Sequence, residues 1–258
     1  MHVINYAPVI DDMIWSYSRI RSFYDCKYRW YLKYIRMVKS KKMFFSSYGL
    51  FMHKILEEYY KGLITNKEAV SMYLSMYVDH VAPLAPNHTV ARNYFEDGLS
   101  HLANLSPMKY ETLMVEKEVR FCVGNYRFVG YIDYIGKSSN GVAIVDHKSR
   151  NLKPRSKKGK KTRSDIELDQ YLNQLYIYSI PISDMFGLDV KSLCFNCFRS
   201  NTFIDEPFEE EKLSESKEWL VSSISKIRSE SEFKPSPDYF KCSYLCDVHH
   251  ECEYFQYL

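Results

Sequence analysis

The chain has 258 residues, of which 46% are hydrophobic and 26% are charged, and this composition is ordinary for a soluble globular protein with a sizeable core. No apolar run approaches the roughly 20 residues of a membrane span, and the first residues lack the basic and apolar regions of a signal peptide. We therefore expect an intracellular protein, in the cytoplasm or in the host cytoplasm if viral. Its seven cysteines are then expected to be reduced thiols or metal ligands rather than disulfides.

The first predicted element is a helix near the N-terminus. Residues 15–37 combine aromatic and basic side chains at helical spacing. Ser16 or Ser18 is the expected cap of this helix, which is predicted to carry Cys26.

Further helices are predicted downstream. The segment from Tyr48 to Leu63 has the spacing of an amphipathic helix, with His53 on its apolar stripe. Helical patterning continues through residues 61–113, interrupted near two prolines.

The pattern then changes to strands. Residues 115–123 alternate between apolar and polar side chains, which is typical of a strand with one buried face. A turn at Gly124-Asn125 leads into YRFVGYIDYI, and a turn at Asn140-Gly141 leads into VAIVDHK. We expect these three segments to form an antiparallel meander.

The second half of the chain contains further elements. Ser164 and Glu167 have the spacing of a capping box, and the helix that they open is predicted to end near Ile180. Residues 190–198 are predicted to form a strand, and residues 207–232 a charged amphipathic helix. The remaining tail is irregular and rich in cysteine. The predicted core order is therefore helix, three strands, helix, strand.

Charged residues at the end of a buried strand indicate chemistry. Asp146 and Lys148 lie two residues apart, so in a strand they face the same side. Hairpin pairing about the turn near Ser139 places Asp133 opposite Asp146. Two converging carboxylates favour a divalent cation between them, and oxygen ligands indicate Mg²⁺ or Mn²⁺. A surface ion pair is the alternative interpretation of an isolated D-x-K sequence.

Four short motifs follow one another along the chain: GLFMH from Gly49, GYIDY from Gly130, VDHKS from Val145 and QLYIY from Gln174. This series resembles that of the RecB-like branch of the PD-(D/E)XK nuclease superfamily. It is similar to the series in CRISPR-associated RecB-like exonucleases and in the nuclease domain of the AddB subunit. The resemblance covers roughly residues 14–60, 115–180 and 233–255.

The resemblance implies a role for each matching residue. The metal ligands would be His53, Asp133, Asp146 and the backbone carbonyl of His147. Lys148 would be the catalytic lysine, which activates a water or stabilises a phosphorane. Gln174 and Tyr178 would orient the substrate or the metal shell, with Glu57 and Glu118 as supporting groups.

The tail contains three cysteines at C-x3-C-x5-C spacing, and a fourth lies near the other end of the chain. In the family that the chain resembles, such a set holds a 4Fe–4S cluster, although the commoner spacing is C-x2-C-x5-C. The implied ligands are Cys26, Cys242, Cys246 and Cys252. Four thiolates could also hold zinc, and His249 or His250 could replace one of them. The tail has few apolar residues in a regular pattern, so its order is expected to depend on this metal centre.

A basic segment directly follows Lys148. Although the net charge of the chain is only +3, residues 150–163 include eight lysines or arginines and no acid. The candidate DNA contacts are Arg150, Lys153, Arg155, Lys157, Lys158, Lys160, Lys161 and Arg163. Beside a metal site these side chains could neutralise phosphates, whereas a merely solvated loop is the alternative. The aromatic and basic residues 16–39 are a second candidate DNA surface.

These observations together predict an α/β (α+β) fold with a PD-(D/E)XK restriction-endonuclease-like core, in which helices flank a central mixed sheet. Residues 1–258 would form a single nuclease domain. Within it we expect a helical region at 14–114, the catalytic sheet at 115–200 and a metal-cluster tail at 233–258, packed on the N-terminal helix.

The predicted function is hydrolysis of DNA phosphodiesters by a Mg²⁺- or Mn²⁺-dependent exonuclease acting on single-stranded DNA, in recombination, repair or replication. The expected partners are DNA that is single-stranded or has free ends, and a helicase or recombination protein. A structure-selective endonuclease is one alternative. The other is a non-catalytic iron–sulfur module that binds DNA or a protein partner.

Overall fold

A computed structural model describes residues 5–157 and 159–255. The helices are α1 (Ala7–Asp11), α2 (Tyr17–Asp25), α3 (Lys27–Tyr34), α4 (Phe44–Tyr60), α5 (Asn66–His80), α6 (His88–Ala103), α7 (Arg163–Phe186), α8 (Glu210–Arg228) and α9 (Tyr239–Tyr244), with a short 3-10 helix at His249–Glu251. The strands are β1 (Glu111–Val123), β2 (Tyr126–Ser138), β3 (Gly141–Lys148), β4 (Val190–Cys197) and β5 (Thr202–Pro207). Within the described residues, no helix is both long and apolar enough to cross a membrane.

The five strands form one sheet in the order β1-β2-β3-β4-β5. Neighbouring strands are antiparallel, except that β3 and β4 are parallel. A parallel pair needs a long crossover connection, and α7 supplies it while packing against the sheet. The predicted meander of β1 to β3 and the predicted mixed sheet flanked by helices are both confirmed.

Strand β5 is an edge strand that the sequence pattern did not indicate. It pairs with β4 after a turn in which Asn201 has a φ of 48°. Only Ile204 of its side chains is buried, so its hydrophobic signal is weak. The helix predicted to begin at Pro207 begins instead at Glu210, after this strand.

The N-terminal helical region differs from the prediction at Cys26. One helix was expected to carry this residue, but α2 and α3 lie on either side of it, because its φ of −163° is extended rather than helical. Ser16 caps α2 as predicted, since its Oγ accepts a hydrogen bond from the N–H of Arg19. The sulfur of Cys26 caps α3 by accepting from the N–H of Arg29 at 3.4 Å. The thiol therefore lies at a helix N-terminus.

Helix α7 is longer than predicted at both ends. Its capping box is formed by Thr162 and Asp165, rather than beginning at Ser164: the N–H of Thr162 donates to the Asp165 carboxylate at 2.7 Å, and the Asp165 N–H donates to Thr162 Oγ1. The helix continues through Pro181, which is buried against the core, and ends at Gly187 with a left-handed φ of 62°.

The sheet has a separate core on each face. Val142 and Ile144 of β3 pack with the apolar residues of α7 and α8 on the surface that we call the α7 face. Ala143 and Val145 pack with Tyr134 on the opposite face, where the ring of Tyr60 at the end of α4 also contacts them. Helices α4, α5 and α6 share a third cluster. The site described next lies where α4 and α7 both approach the end of β3.

Candidate active site

Asp133 and Asp146 lie at the end of the pairing between β2 and β3. The ladder runs from Ser138 opposite Gly141 to Tyr134 opposite Val145, so the two aspartates occupy the next facing positions. Both side chains are buried. Asp133 Oδ2 also accepts a hydrogen bond from the backbone N–H of His147 at 2.6 Å. The hairpin register expected from the sequence therefore brings the two carboxylates together.

Lys148 lies beside Asp146 on the α7 face. Its Nζ is 2.6 Å from Asp146 Oδ2 and 3.4 Å from Oε1 of Gln174, which projects from α7. Burial raises the pKa of Asp146 to about 6, although the nearby ammonium lowers it. Burial lowers the pKa of Lys148, but the attraction of Asp146 is stronger in sum, so its pKa is raised. The ion pair with Asp146 therefore favours the protonated form of the lysine.

His53 approaches the aspartates from α4. Its Nε2 is 2.9 Å from the backbone oxygen of His147, and its Nδ1 is 3.4 Å from Asp133 Oδ1. Burial lowers the pKa of His53, but Asp133 and Glu116 outweigh burial and raise it to about 10. Burial correspondingly raises the pKa of Asp133, while the imidazolium more than compensates and lowers it to about 2. The site thus holds a positive group among its carboxylates.

The imidazole of His147 points away from this site. It stacks on Tyr60 at 5.4 Å between ring centroids, on the face opposite α7, and its Nδ1 is 3.0 Å from the amide nitrogen of Asn196. Burial lowers the pKa of this imidazole to about 3, so it is neutral and structural. The backbone oxygen of His147, which the resemblance implied as a ligand, does face His53.

Glu116 of β1 is a further acid at this site, and nothing in the sequence pattern indicated it. Its Oε1 is 3.8 Å from His53 Nδ1, and its φ of 50° is left-handed, which costs a non-glycine residue about 1–3 kcal/mol. Val115 packs on the face opposite α7, whereas Val119 packs on the α7 face. Since a regular strand would place both valines on one face, the backbone reverses its alternation at Glu116.

The two acids that were expected to support the metal lie elsewhere. Glu57 forms an ion pair with Lys61 one turn along α4. The carboxylate of Glu118 is bound by Arg120 at 2.7 Å and by the hydroxyl of Tyr131 at 2.7 Å on the outside of the sheet. Among the described residues, neither carboxylate directly contacts His53, Asp133 or Asp146, although Lys61, the partner of Glu57, also lies near Glu116. The supporting role of both acids stays a prediction.

Gln174 and Tyr178 both face the site from α7. Tyr178 is buried beside Gln174, and burial raises the pKa of its hydroxyl to about 12, so the tyrosine is neutral. Its ring lies over Gly130 of β2, where any Cβ would overlap it. This contact joins residues of two different sequence motifs, Gly130 and Tyr178.

The donor set at this site fits a divalent cation. Ligand atoms of His53, Glu116 and Asp133 all lie within 4.8 Å of one another. Asp146 and the His147 carbonyl adjoin this group through Asp133 and His53. Carboxylate and carbonyl oxygens are ligands of Mg²⁺ and Mn²⁺, and one imidazole is compatible with Mn²⁺.

Ion pairs anchor part of the basic segment that follows β3. Arg150 pairs with Glu167, and Lys161 with Asp169. Arg155 binds Glu206 at 2.8 Å and Asp169 at 2.9 Å, which anchors the segment to β5 and α7.

The other basic residues of the segment point outward. The side chains of Lys153, Lys157, Lys160 and Arg163 are exposed and have no acidic partner among the described residues. Lys158 lies outside the described residues. The segment is therefore neither wholly solvated nor wholly available for phosphates.

The four cysteines of the implied cluster line one cavity, formed by Cys26, Cys242, Cys246 and Cys252. Among the described residues, no three of these sulfurs lie within 4.8 Å of one another. The backbone N–H of Ser236 donates to the sulfur of Cys26 at 3.5 Å. The predicted neighbourhood of the N-terminal cysteine and the three tail cysteines is thus present in the fold.

Side chains also anchor the tail independently of the cysteines. Asp247 binds Arg29 at 2.8 Å and Lys33 at 2.5 Å, and its carboxylate accepts from Ser40 at 2.7 Å. Phe233 stacks on Trp30 with 5.6 Å between ring centroids. The expectation that only a metal could order the tail was too strong, because it considered apolar periodicity and not these single anchors.

A basic groove of about 600 Å³ connects the two sites. It begins at Gln174, beside Lys148, and passes between α2–α3 and α7 to Cys246. Its basic and aromatic lining consists of Tyr17, Arg21, Arg29, Lys33, Tyr34, Arg150, Tyr171 and Lys241.

Comparisons with known proteins agree with this architecture. Residues 14–253 match the family described as the PD-(D/E)XK nuclease superfamily. A crystal structure of an inferred exonuclease from Eubacterium rectale aligns with 100% of this chain and 93% of its own, at 12% identity and a TM-score of 0.53. The structure of SSO0001 covers 80% of this chain and 95% of its own at 17% identity, with a TM-score of only 0.29. No curated protein matches the chain. Since the family match spans nearly the whole sequence, the protein belongs to the PD-(D/E)XK nuclease superfamily.

Proposed function

We propose that this nuclease is a Mg²⁺- or Mn²⁺-dependent deoxyribonuclease of the RecB-like branch that degrades single-stranded DNA from its ends. The observation that carries the proposal is the buried pair of Lys148 and Asp146, beside Asp133 and His53, which Gln174 links to the basic groove. Burial of a lysine and several neighbouring carboxylates lowers the stability of a fold, so such a group of side chains indicates a functional site.

Each residue of the site has a defined task in hydrolysis. His53, Asp133, Asp146 and the His147 carbonyl would hold the ion. When bound, a divalent cation supplies an activated water and neutralises charge that develops on the phosphate. With the ion bound, the Asp146 carboxylate would be shared between the ion and Lys148.

Lys148 is placed to stabilise charge on the phosphate or to activate the attacking water. Burial lowers the pKa of its amine, but attraction to Asp146 outweighs burial and favours the protonated form. Gln174 lies on the groove wall, and its Oε1 is 3.4 Å from Nζ, which places the ammonium next to the groove. There it can donate hydrogen bonds to the non-bridging oxygens of the phosphate undergoing attack, whose charge increases in the transition state.

The groove favours a single strand as substrate. Half-buried aromatic side chains along its wall, such as Tyr34 and Tyr171, can stack on unpaired bases, while Arg21 and Lys241 can contact phosphates. The name of the Eubacterium rectale neighbour favours attack on strand ends. A helicase or recombination protein would supply such ends in the cell.

The cysteine cavity supports a 4Fe–4S cluster as a structural centre. Four thiolates around one zinc ion, at about 2.3 Å each, would lie within about 4 Å of one another. Four cysteines that line one cavity with no three sulfurs within 4.8 Å, among the described residues, leave room for a larger cluster. Zinc remains the alternative occupant, with His249 on the cavity wall as a replacement ligand.

Digestion of end-labelled DNA tests the proposed activity. Linear single-stranded, linear double-stranded and circular single-stranded DNA are incubated with the full chain and Mn²⁺, with Asp146→Asn as the inactive control. Progressive shortening of the linear single strand, with the circle intact, is the expected result. Cleavage of the circle would indicate an endonuclease instead, and DNA binding without digestion would indicate a non-catalytic module.

A further inference from the structure

Glu116 lies where a carboxylate can reach the metal site from a third strand. Its Oε1 is 3.8 Å from Nδ1 of His53, and its ligand atom belongs with those of His53 and Asp133 in a group spanning no more than 4.8 Å. Its side chain is 21% exposed, so the carboxylate is largely withdrawn from solvent yet retains an open side. Neither the family resemblance nor the motif series assigns this residue a role.

The backbone of β1 bends to bring this carboxylate inward. Glu116 has a φ of 50°, a left-handed conformation that a β-strand does not otherwise contain and that glycine adopts more readily than glutamate. In a regular strand Glu116 and Glu118 would point to the same side, but only Glu116 reaches His53, while Glu118 binds Arg120 outside. Unfavourable backbone geometry at an interior acidic residue is typical of a functional position.

The charges around Glu116 also favour a cation. Glu116, Asp133 and Asp146 bring three carboxylates to a site whose neighbouring positive groups are His53, Lys148 and, beside Glu116, Lys61 of the pair with Glu57. Like charges this close repel, and a divalent ion relieves that repulsion more effectively than a single proton on the imidazole. Glutamate and aspartate oxygens with one imidazole nitrogen form a donor set that suits Mn²⁺.

We infer that Glu116 is a direct ligand of the catalytic divalent cation, so that the metal site extends from β3 and α4 onto β1. This inference rests on the proposed metal-dependent nuclease. It adds a fourth side chain to the metal ligands that the family resemblance implies. It also gives a reason for the reversal of side-chain alternation in β1.

Direct metal binding tests the inference without any cleavage assay. Mn²⁺ alone is titrated into the DNA-free full chain, and free Mn²⁺ is followed by electron paramagnetic resonance, for the wild type, Glu116→Gln and Glu118→Gln. The last variant is the matched control, since it removes an acid two residues away on the same strand. We expect the Kd for Mn²⁺ to rise at least tenfold for Glu116→Gln, or about 1.4 kcal/mol, and to change less than twofold for Glu118→Gln.

A second variant separates the loss of the carboxylate from any local misfolding. Glu116→Gly should preserve the local fold, because glycine accepts a φ of 50° without strain, and it removes the carboxylate with the rest of the side chain. We expect the same loss of affinity for Mn²⁺. Wild-type affinity in both Glu116 variants would overturn the inference and leave the proposed function standing. A wild-type chain that binds no Mn²⁺ would overturn the proposed function and the inference together.

Discussion

Gly130 of β2 lies against the ring of Tyr178 of α7, so closely that any Cβ at position 130 would overlap ring carbons. Gly130→Ala should therefore displace Tyr178 and, with it, Gln174, which adjoins Lys148. Overpacking of this kind typically costs about 1–3 kcal/mol, and we expect a loss of that size in the free energy of unfolding. Urea denaturation of the wild type and the variant measures it.

Removal of the ring provides the control for this contact. Tyr178→Ala opens the space that a Cβ at 130 would need. In the double variant the cost of Gly130→Ala should be much smaller than in the wild-type background, giving a coupling energy of at least about 1 kcal/mol. Additive costs would show that the glycine is required for another reason.

Lys148→Met should reduce cleavage without removing metal binding. Loss of a charge that acts mainly in the transition state typically lowers the rate by about 10²–10³-fold, and we expect a decrease in that range in single-turnover digestion with Mn²⁺. Lys137→Met, on the exposed part of β2, is the matched control and should cleave at the wild-type rate. Wild-type cleavage by Lys148→Met would exclude Lys148 from catalysis.

Much of this arrangement could be predicted from the sequence, because it depends on local patterns. Alternation and turn residues predicted the meander, and the spacing of Asp133, Asp146 and Lys148 fixed which side chains converge. Glu116 could not be found in this way, since alternation predicts regular strands and gives no sign of a single left-handed residue within one. Strand β5 was missed because an edge strand with one buried side chain has almost no hydrophobic signal.

The basic segment should separate into two functional groups. Replacing Lys153, Lys157 and Lys160 together with alanine should weaken DNA binding and flatten its salt dependence, by a log–log slope of up to about 0.7 per lost single-strand phosphate contact. These lysines are exposed and have no acidic partner among the described residues. Fluorescence anisotropy at several salt concentrations gives the slope, and an unchanged slope would show that the lysines are only solvated.

Arg155→Ala, unlike the lysine variant, should lower the stability of the protein and leave the salt dependence of DNA binding unchanged. Arg155 bridges Glu206 and Asp169, so its removal releases the segment from β5 and α7. We expect the Tm to fall by about 2–4 °C, as for a loss near 1 kcal/mol in a chain of this size, with the salt dependence of DNA binding retained. A reduced slope with an unchanged Tm would instead assign Arg155 to DNA contact.

Asp165 should make stability depend on pH through the cap of α7. Hydrogen bonds from Ser156 and Thr162 hold the pKa of its carboxyl below the usual value. A lowered folded-state pKa contributes stability above the unfolded pKa of about 3.9, and that stability is lost as pH falls further. The difference in Tm between the wild type and Asp165→Asn should therefore be largest near neutral pH and shrink below about pH 4. Asp184→Asn, exposed on the same helix, should show no such trend.

The cysteine cavity leads to a prediction about colour and metal content. Cys26 caps α3 and faces the three tail cysteines across one cavity. The anaerobically purified full chain should be brown and contain roughly four iron atoms per molecule. Cys26→Ser should lose the iron and the colour, whereas Cys122→Ser, at an exposed position of β1, should keep both.

Loss of the iron–sulfur cluster should destabilise the C-terminal tail more than the sheet core. Metal binding contributes folding free energy only where the ligands are ordered by it, and the anchors at Asp247 and Phe233 remain in Cys26→Ser. We therefore expect a lower Tm and faster proteolysis after residue 233, while the sheet stays protected from hydrogen exchange. A colourless wild type with one zinc would keep the shared site and exclude the cluster. Unchanged metal content and Tm in Cys26→Ser would exclude the shared site itself, because a ligand cannot be removed without cost.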